Sequence, residues 1–256
     1  MNIKPTKTIL PSTFRRGPVN QPRDLERWHH PARTNPLAAI LRRRTPVNSQ
    51  DYGESRGQCV DRYYIDQFLA AHAADVQGRV LDFFDDDYAR RFGGAKVTKV
   101  EVLHSAPGNP RATIIADLAR GDNLPSDSFD CILCTQVLHC IFELDAAVRT
   151  LHRILKPGGV ALVTGPGIQK VDSVDIKNGE DWWRFTSLSI RRLFEEVFPR
   201  DHVQVTPYGN VLAAVAFLHG IAVEELRRGD LDYHDPDFEV ALALRAVKPL
   251  VVSVAG

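Results

Sequence analysis

Residues 129–164, Phe-Asp-Cys-Ile-Leu-Cys-Thr-Gln-Val-Leu-His through Leu-His-Arg-Ile-Leu-Lys-Pro-Gly-Gly-Val-Ala-Leu-Val-Thr, restrict this chain more than any other stretch. The run 129–134 is apolar apart from Asp130, which suits a strand covered on both faces, as strands of parallel sheets are. Ala146, Val148, Leu151, Ile154 and Leu155 then recur at helical spacing. Lys156-Pro157-Gly158-Gly159 stops that helix. Lysine suits the negative helix end, proline cannot continue it, and glycine accepts the left-handed cap. A new strand follows at 160–164, so the segment predicts one strand-helix-strand unit of a parallel α/β sheet.

The 256 residues, 44% of them hydrophobic, suffice for one large α/β core. We expect a basic extension over 1–55, the folded domain over 56–250 and a short tail over 251–256. No apolar run reaches about 18 residues and the first residues lack the apolar stretch of a secretory signal, so a cytoplasmic protein without a membrane span is expected. Cys59, Cys131, Cys134 and Cys140 have neither disulfide-framework nor zinc spacing. Cys131 and Cys134 look like a CxxC pair, but three residues along a strand point to opposite faces. No metal is expected.

Net charge is zero but unevenly spread. Residues 1–50 hold ten Lys/Arg against Asp24 and Glu26, which leaves +8 there and −8 elsewhere. Such a tail can meet nucleic acid, anionic lipid, a phosphorylated substrate or the acidic body itself. No aromatic residue interleaves Arg42, Arg43 and Arg44, which argues against single-stranded nucleic acid.

Further strands are expected at 79–84, 96–103, 112–116, 202–206 and 238–246, and helices at 59–73, 186–197 and 211–226. Their alternation, closed by an antiparallel hairpin, predicts a doubly wound, mostly parallel seven-stranded sheet with helices on both faces. Acidic residues end its strands: Asp82 in Val80-Leu81-Asp82, Glu101 nineteen residues on, and Asp117 in Ala116-Asp117-Leu118. An isolated acid of this kind is usually a wet loop residue. Three at successive strand ends suggest a site, because ligands of open α/β sheets bind outside the carboxyl ends of the strands.

The order of these landmarks, with Leu124-Pro125, Ser128-Phe129-Asp130, Gln136-Val137-Leu138-His139 and above all residues 151–159, resembles the class I S-adenosylmethionine-dependent methyltransferase family in its small-molecule, type 11-like branch. The resemblance covers about 56–246 and implies a Rossmann-like methyltransferase fold with S-adenosylmethionine as cofactor. It implies that Glu101 accepts from the ribose hydroxyls, that Asp117 and Leu118 frame the adenine, that Asp82 orders the first loop with Phe84 and Asp85 beside the cofactor, and that Gln136 borders the methionine or the substrate.

The departure lies in that first loop. The family spaces glycines two apart there, where side chains would occupy the ligand's volume. This chain has Asp82-Phe83-Phe84-Asp85-Asp86-Asp87-Tyr88, with Phe84, Asp86 and Tyr88 at the glycine positions. Three readings stay open: a rebuilt loop that still binds the cofactor, helped by Gly93-Gly94 and by Arg90 or Arg91 on the methionine carboxylate; a module without methyl transfer that binds a partner; or aspartates holding a cation. The aspartate turn is also similar to a glycine-poor subgroup of bacterial methyltransferase-like proteins found in company with glycosyltransferases, which implies a saccharide-related substrate and a glycosyltransferase as a candidate partner.

His139 after the fourth strand is the best-placed base, with His104 next. Trp182, Trp183 and Arg184 after the fifth strand are candidates for the acceptor wall, with Tyr63 and Tyr64 closing the other side. Each has a plainer alternative as helix start, sheet cover or core. The expected function is methyl transfer to oxygen or nitrogen of a small molecule. The alternative is a non-catalytic, partner-binding module; nucleic-acid methylation is disfavoured, since no Asn/Asp-Pro-Pro-aromatic motif is present.

Overall fold

The computed structural model describes residues 46, 47 and 51–250. Most of the basic extension, including Arg42 to Arg44, and the tail 251–256 lie outside the described residues. The element order is α1 (Val60–Ala71), β1 (Gly78–Phe83), β2 (Val97–His104), β3 (Ile114–Ile115), β4 (Phe129–Thr135), α2 (Leu144–Ile154), β5 (Leu155–Pro166), α3 (Ser173–Asn178), α4 (Ser187–Glu195), β6 (Val203–Tyr208), α5 (Val211–His219), α6 (Arg228–Asp232) and β7 (Ala241–Val247). The seven strands lie in the order β3-β2-β1-β4-β5-β7-β6, with β7 antiparallel to both neighbours. This is the doubly wound, mostly parallel sheet expected from the sequence.

β4 shows why its sequence is apolar throughout. Phe129, Ile132 and Cys134 pack on one face with Val148, Leu151 and Phe194 of α2 and α4. Cys131 and Leu133 pack on the other with Ile65, Phe68 and Leu69 of α1. The two cysteines do face opposite ways, and all four cysteines are free thiols. Val148, Leu151 and Ile154 of α2 are fully buried, each worth about 2 kcal/mol.

Two expectations need correction. α2 ends at Ile154, before Lys156, because a residue preceding proline is held extended. Lys156 pairs with Asp130 at 2.7 Å instead of the helix end, while Gly158 takes φ +80. The apolar helix expected at 211–226 stops at His219, where Gly220 takes φ +66 and Ile221 N–H bonds Ala216 O at 3.0 Å. Among the described residues no helix is long and apolar enough to cross a membrane.

Candidate functional site

The strand order reverses between β1 and β4, so the loops above them part. A cleft of about 1650 Å³ opens there, floored by Phe84, His104, Asp117, Leu118, Gln136 and His139 and walled by residues from 51–62 and 169–182.

Asp82 sits beneath this floor. Its Oδ1 accepts the Phe83 N–H at 2.9 Å and its Oδ2 the Ala89 N–H at 3.1 Å, tying the tip of β1 to the π-turn Ala89–Gly93. Burial, reinforced by the charges of Asp85 and Asp86, pushes its pKa up to about 7 against the pull of those two N–H groups.

Phe84 has φ +66, the left-handed conformation a glycine would take, although a side chain there costs about 1–2 kcal/mol. The turn is held by Asn109 Nδ2, which donates to Phe84 O at 2.6 Å, and by Asp85 N–H on Phe83 O at 2.8 Å. The ring leans edge-on against His104, 5.7 Å between centroids, and is 52% exposed. It borders the cleft rather than plugging it. Asp85 does not reach the cleft: it caps Asp87 N–H at 3.0 Å, while Asp86 and Asp87 pair with Arg111 at 3.7 and 2.8 Å. Arg90 pairs with Asp86 and Arg91 with Asp66, so neither lines the cleft.

Glu101 stands elsewhere than the resemblance implied. It pairs in register with Leu81, and β2 runs on to His104, so Glu101 lies three residues short of the strand tip. Its carboxylate takes Arg79 at 3.0 Å, Lys99 at 2.5 Å and the Thr113 hydroxyl at 2.7 Å. Burial opposes ionisation there, but these partners prevail and hold the carboxyl below its usual range. His104 occupies the tip of β2 in its place.

Asp117 and Leu118 do line the cleft at the end of β3, Asp117 exposed and Leu118 buried. Gln136 follows β4 with φ +53, and among the described residues neither its Oε1 nor its Nε2, both buried, has a hydrogen-bond partner. His139 is buried with Nδ1 unpartnered. Burial, with Arg184 and Arg62 assisting and Asp181 opposing, lowers its pKa to about 4, so the imidazole is neutral at neutral pH.

On the side after β5, Trp182 lines the cleft, crossing Phe142 edge-on at 5.1 Å with both rings about half exposed. Trp182 and Trp183 N–H both bond His139 O, at 2.8 and 3.2 Å. Trp183 turns inward, its indole N–H on Ile141 O at 3.0 Å, and does not line the cleft. Arg184 is engaged behind the wall by Asp181 at 2.5 and 3.0 Å and by Lys170 O at 2.7 Å. Tyr63 and Tyr64 face away altogether: their hydroxyls bond Asp232 at 2.6 Å and Leu231 O at 3.1 Å within the cluster of α1, α5 and α6. The helix stripe that made them look like a cleft wall is core.

The wall was not foreseen at residues 51–62. Tyr52 stacks on Phe217 at 5.2 Å, and a Cβ on Gly53, at φ +101, would lie 2.9 Å from Gly220 O. Asp61 and Arg62 of α1, beside the tyrosines, face the cleft instead. The one sequence signal was the Gly53…Gly57 turn before the helix. Asp172, Asp175 and Glu180 also line the opening, and His139, Cys140 and Asp175 bring ligand-type atoms within 4.8 Å of one another.

Residues 84–163 match the family described as a methyltransferase domain. Over 82 residues, 31% of this chain, the sequence is 30% identical to a probable polyketide synthase of Dictyostelium discoideum, of which the match spans 3%. A SAM-dependent methyltransferase from Archaeoglobus fulgidus superposes with TM-score 0.49 at 12% identity, over 73% of this chain and 94% of that one. The [4+2]-cyclase SpnF superposes with TM-score 0.48 at 18% identity, over 80% and 88%. Phosphoethanolamine N-methyltransferase 2 of Haemonchus contortus does so with TM-score 0.48 at 16% identity, over 72% and 52%. The domain match spans the first loop, β4 and the strand-helix-strand unit of the seven-stranded sheet, and over that stretch the chain is similar to a methyltransferase domain.

Proposed function

We propose that this protein transfers a methyl group from S-adenosylmethionine to an oxygen or nitrogen of a small molecule, with saccharide hydroxyls the acceptors its cleft suits best. The observation that carries this reading is the buried side-chain amide of Gln136, which borders the cleft with both polar atoms unpartnered among the described residues. Buried amides are almost always satisfied, so a ligand with polar atoms of its own accounts for it.

The residues present fit the cofactor. Phe84 takes the left-handed backbone a glycine would take, and its phenyl ring stands aside against His104. Asp117 and Leu118 would meet the adenine. With Glu101 engaged elsewhere, the ribose hydroxyls would meet His104 at the tip of β2. Asp82 acts at one remove, by fixing the loop.

When bound, the cofactor supplies an electrophilic methyl on a sulfonium, so the protein's part is chiefly alignment. The half-exposed faces of Phe142 and Trp182 offer stacking surface, and Asp172, Asp175 and Glu180 offer acceptors for hydroxyls. Neutral His139 can take a hydrogen bond from the attacking group at Nδ1 and receive its proton as the new bond forms. The four free thiols agree with a reducing cytoplasm. A glycosyltransferase remains the candidate partner of the basic extension.

The test is turnover with methyl-deuterated S-adenosylmethionine against sugar, amine and phenol acceptors, read by product mass. A trideuteromethyl product is expected. With His139 as base, its acid limb falls below pH 5 rather than near 6.5, because the group protonates only at about 4. No labelled product with any acceptor class would count against methyl transfer.

A further inference from the structure

The family's glycine loop lets backbone approach the cofactor's amino-acid end, and this chain has side chains at all three glycine positions. Two of them have evident structural work: Phe84 forms the turn, and Asp86 pairs with Arg90 and Arg111. The third, Tyr88, stands beside Arg62, whose charge opposes the rise that burial gives the Tyr88 phenol pKa. Arg62 stands in the first turn of α1, its side chain 45% exposed and facing the cleft. Its charge helps, behind burial and Arg184, to keep His139 neutral. Its neighbour Asp61 approaches only to 4.0 Å, so a fork of five N–H donors retains capacity for another anion.

Electrostatics single out the same residue. Eight carboxylates line the cleft: Asp51, Glu54, Asp61, Asp117, Glu143, Asp172, Asp175 and Glu180. Among the described residues bordering it, Arg62 is the one lysine or arginine. Lys170 sits over the Tyr52 ring, and Arg184 is taken by Asp181. A ligand carboxylate entering this acidic cleft therefore has one favourable place to go, and a guanidinium can grip it with two parallel hydrogen bonds.

We propose that Arg62, positioned by Tyr88, binds the α-carboxylate of S-adenosylmethionine and so replaces the missing glycine loop as the anchor of the cofactor's amino-acid arm. This rests on the methyltransferase reading above. It accounts for a loop that has lost every glycine while the floor of the site persists: the anchor moves from backbone N–H groups to a side chain on α1.

The test compares, by calorimetry, binding of S-adenosylmethionine with its decarboxylated analogue, which keeps the adenosine, sulfonium and amine but lacks the carboxylate. Wild-type protein is expected to prefer S-adenosylmethionine by about 10- to 100-fold, the range of a hydrogen bond to a charged group. Arg62→Met should abolish that preference by weakening S-adenosylmethionine alone. Tyr88→Phe, which removes only a hydroxyl, should shrink the preference by roughly threefold to tenfold and serves if Arg62→Met does not fold. An unchanged preference in these variants, or equal weakening of both ligands, overturns the assignment. Wild-type binding of neither ligand would instead remove the methyltransferase reading, and this inference with it.

Discussion

Replacing Asp82 with alanine is expected to lower the stability of the fold by about 2–4 kcal/mol, since two buried N–H groups, of Phe83 and Ala89, lose their acceptors together. For a domain of this size that is a melting-temperature drop of roughly 5–10 °C. Cofactor binding should fall further than stability alone explains, because Asp82 holds both ends of the first loop while not itself bordering the cleft. The pH dependence gives a second signature. The folded-state pKa is raised to about 7, so the unfolded chain releases its proton first. This side chain therefore removes stability as pH rises from about 4 to 7, and the loss is complete above 7. Asp82→Asn cannot ionise, and its stability should change less with pH than wild type across that window. Parallel curves for the two proteins would show that the burial ascribed to Asp82 is not felt in solution.

Arg184→Met is expected to have an effect as large on the cleft wall that carries Trp182. The Asp181 side chain is fully buried, at φ +70, and accepts the Asp172 N–H at 2.9 Å in addition to Arg184. Removing the guanidinium strands a buried carboxylate, a change that costs about 3–5 kcal/mol. Burial alone would raise the pKa of Asp181, but the bonds from Arg184 and Asp172 hold it below the usual range. The pair thus stabilises above about pH 4, and its contribution fades as pH falls through the lowered pKa. The difference between Arg184→Met and wild type should accordingly narrow in acid. Adding Asp181→Asn should restore part of the loss, because asparagine removes the stranded charge and tolerates the left-handed backbone. Tryptophan emission should shift in the single variant, since Trp182 and Trp183 hang from the same segment by their bonds to His139 O. A variant as stable as wild type, with unaltered emission, would show that the latch does not hold the wall.

The fold was legible because its signals are local and redundant. The all-apolar β4, the periodicity of α2 and the Pro157-Gly158-Gly159 punctuation agree with one another, and each survives in the structure with shifts of a few residues. The lining of the cleft was legible only where a residue's place follows directly from a strand end, as for Asp117, Leu118, Gln136 and His139. Glu101 shows the limit. Counting from Asp82 ignores how the chain is taken up between β1 and β2, and the compressed π-turn lets β2 run three residues past the acid. Tyr63, Tyr64, Trp183 and Arg184 show another: side-chain chemistry suited to a ligand equally suits core packing and a latch, and only the direction of each side chain decides. Arg62 was overlooked for the converse reason, lying beside the conspicuous tyrosines yet on the face of α1 that meets the cleft. That residue 84 is phenylalanine where the resemblance expects glycine was legible, but its consequence was not, since the turn at φ +66 is tied to Asn109 from a loop 25 residues away.

All of this depends on whether the cleft above β1, β2 and β4 accepts an adenosyl sulfonium. Isothermal titration of the full-length protein with S-adenosylmethionine at neutral pH measures it directly. Saturable binding with a dissociation constant on the order of 1–100 µM, about −8 to −5.5 kcal/mol, is the predicted result. Absence of heat up to about millimolar ligand, confirmed by unchanged thermal stability, would contradict it and leave the domain as a partner-binding module.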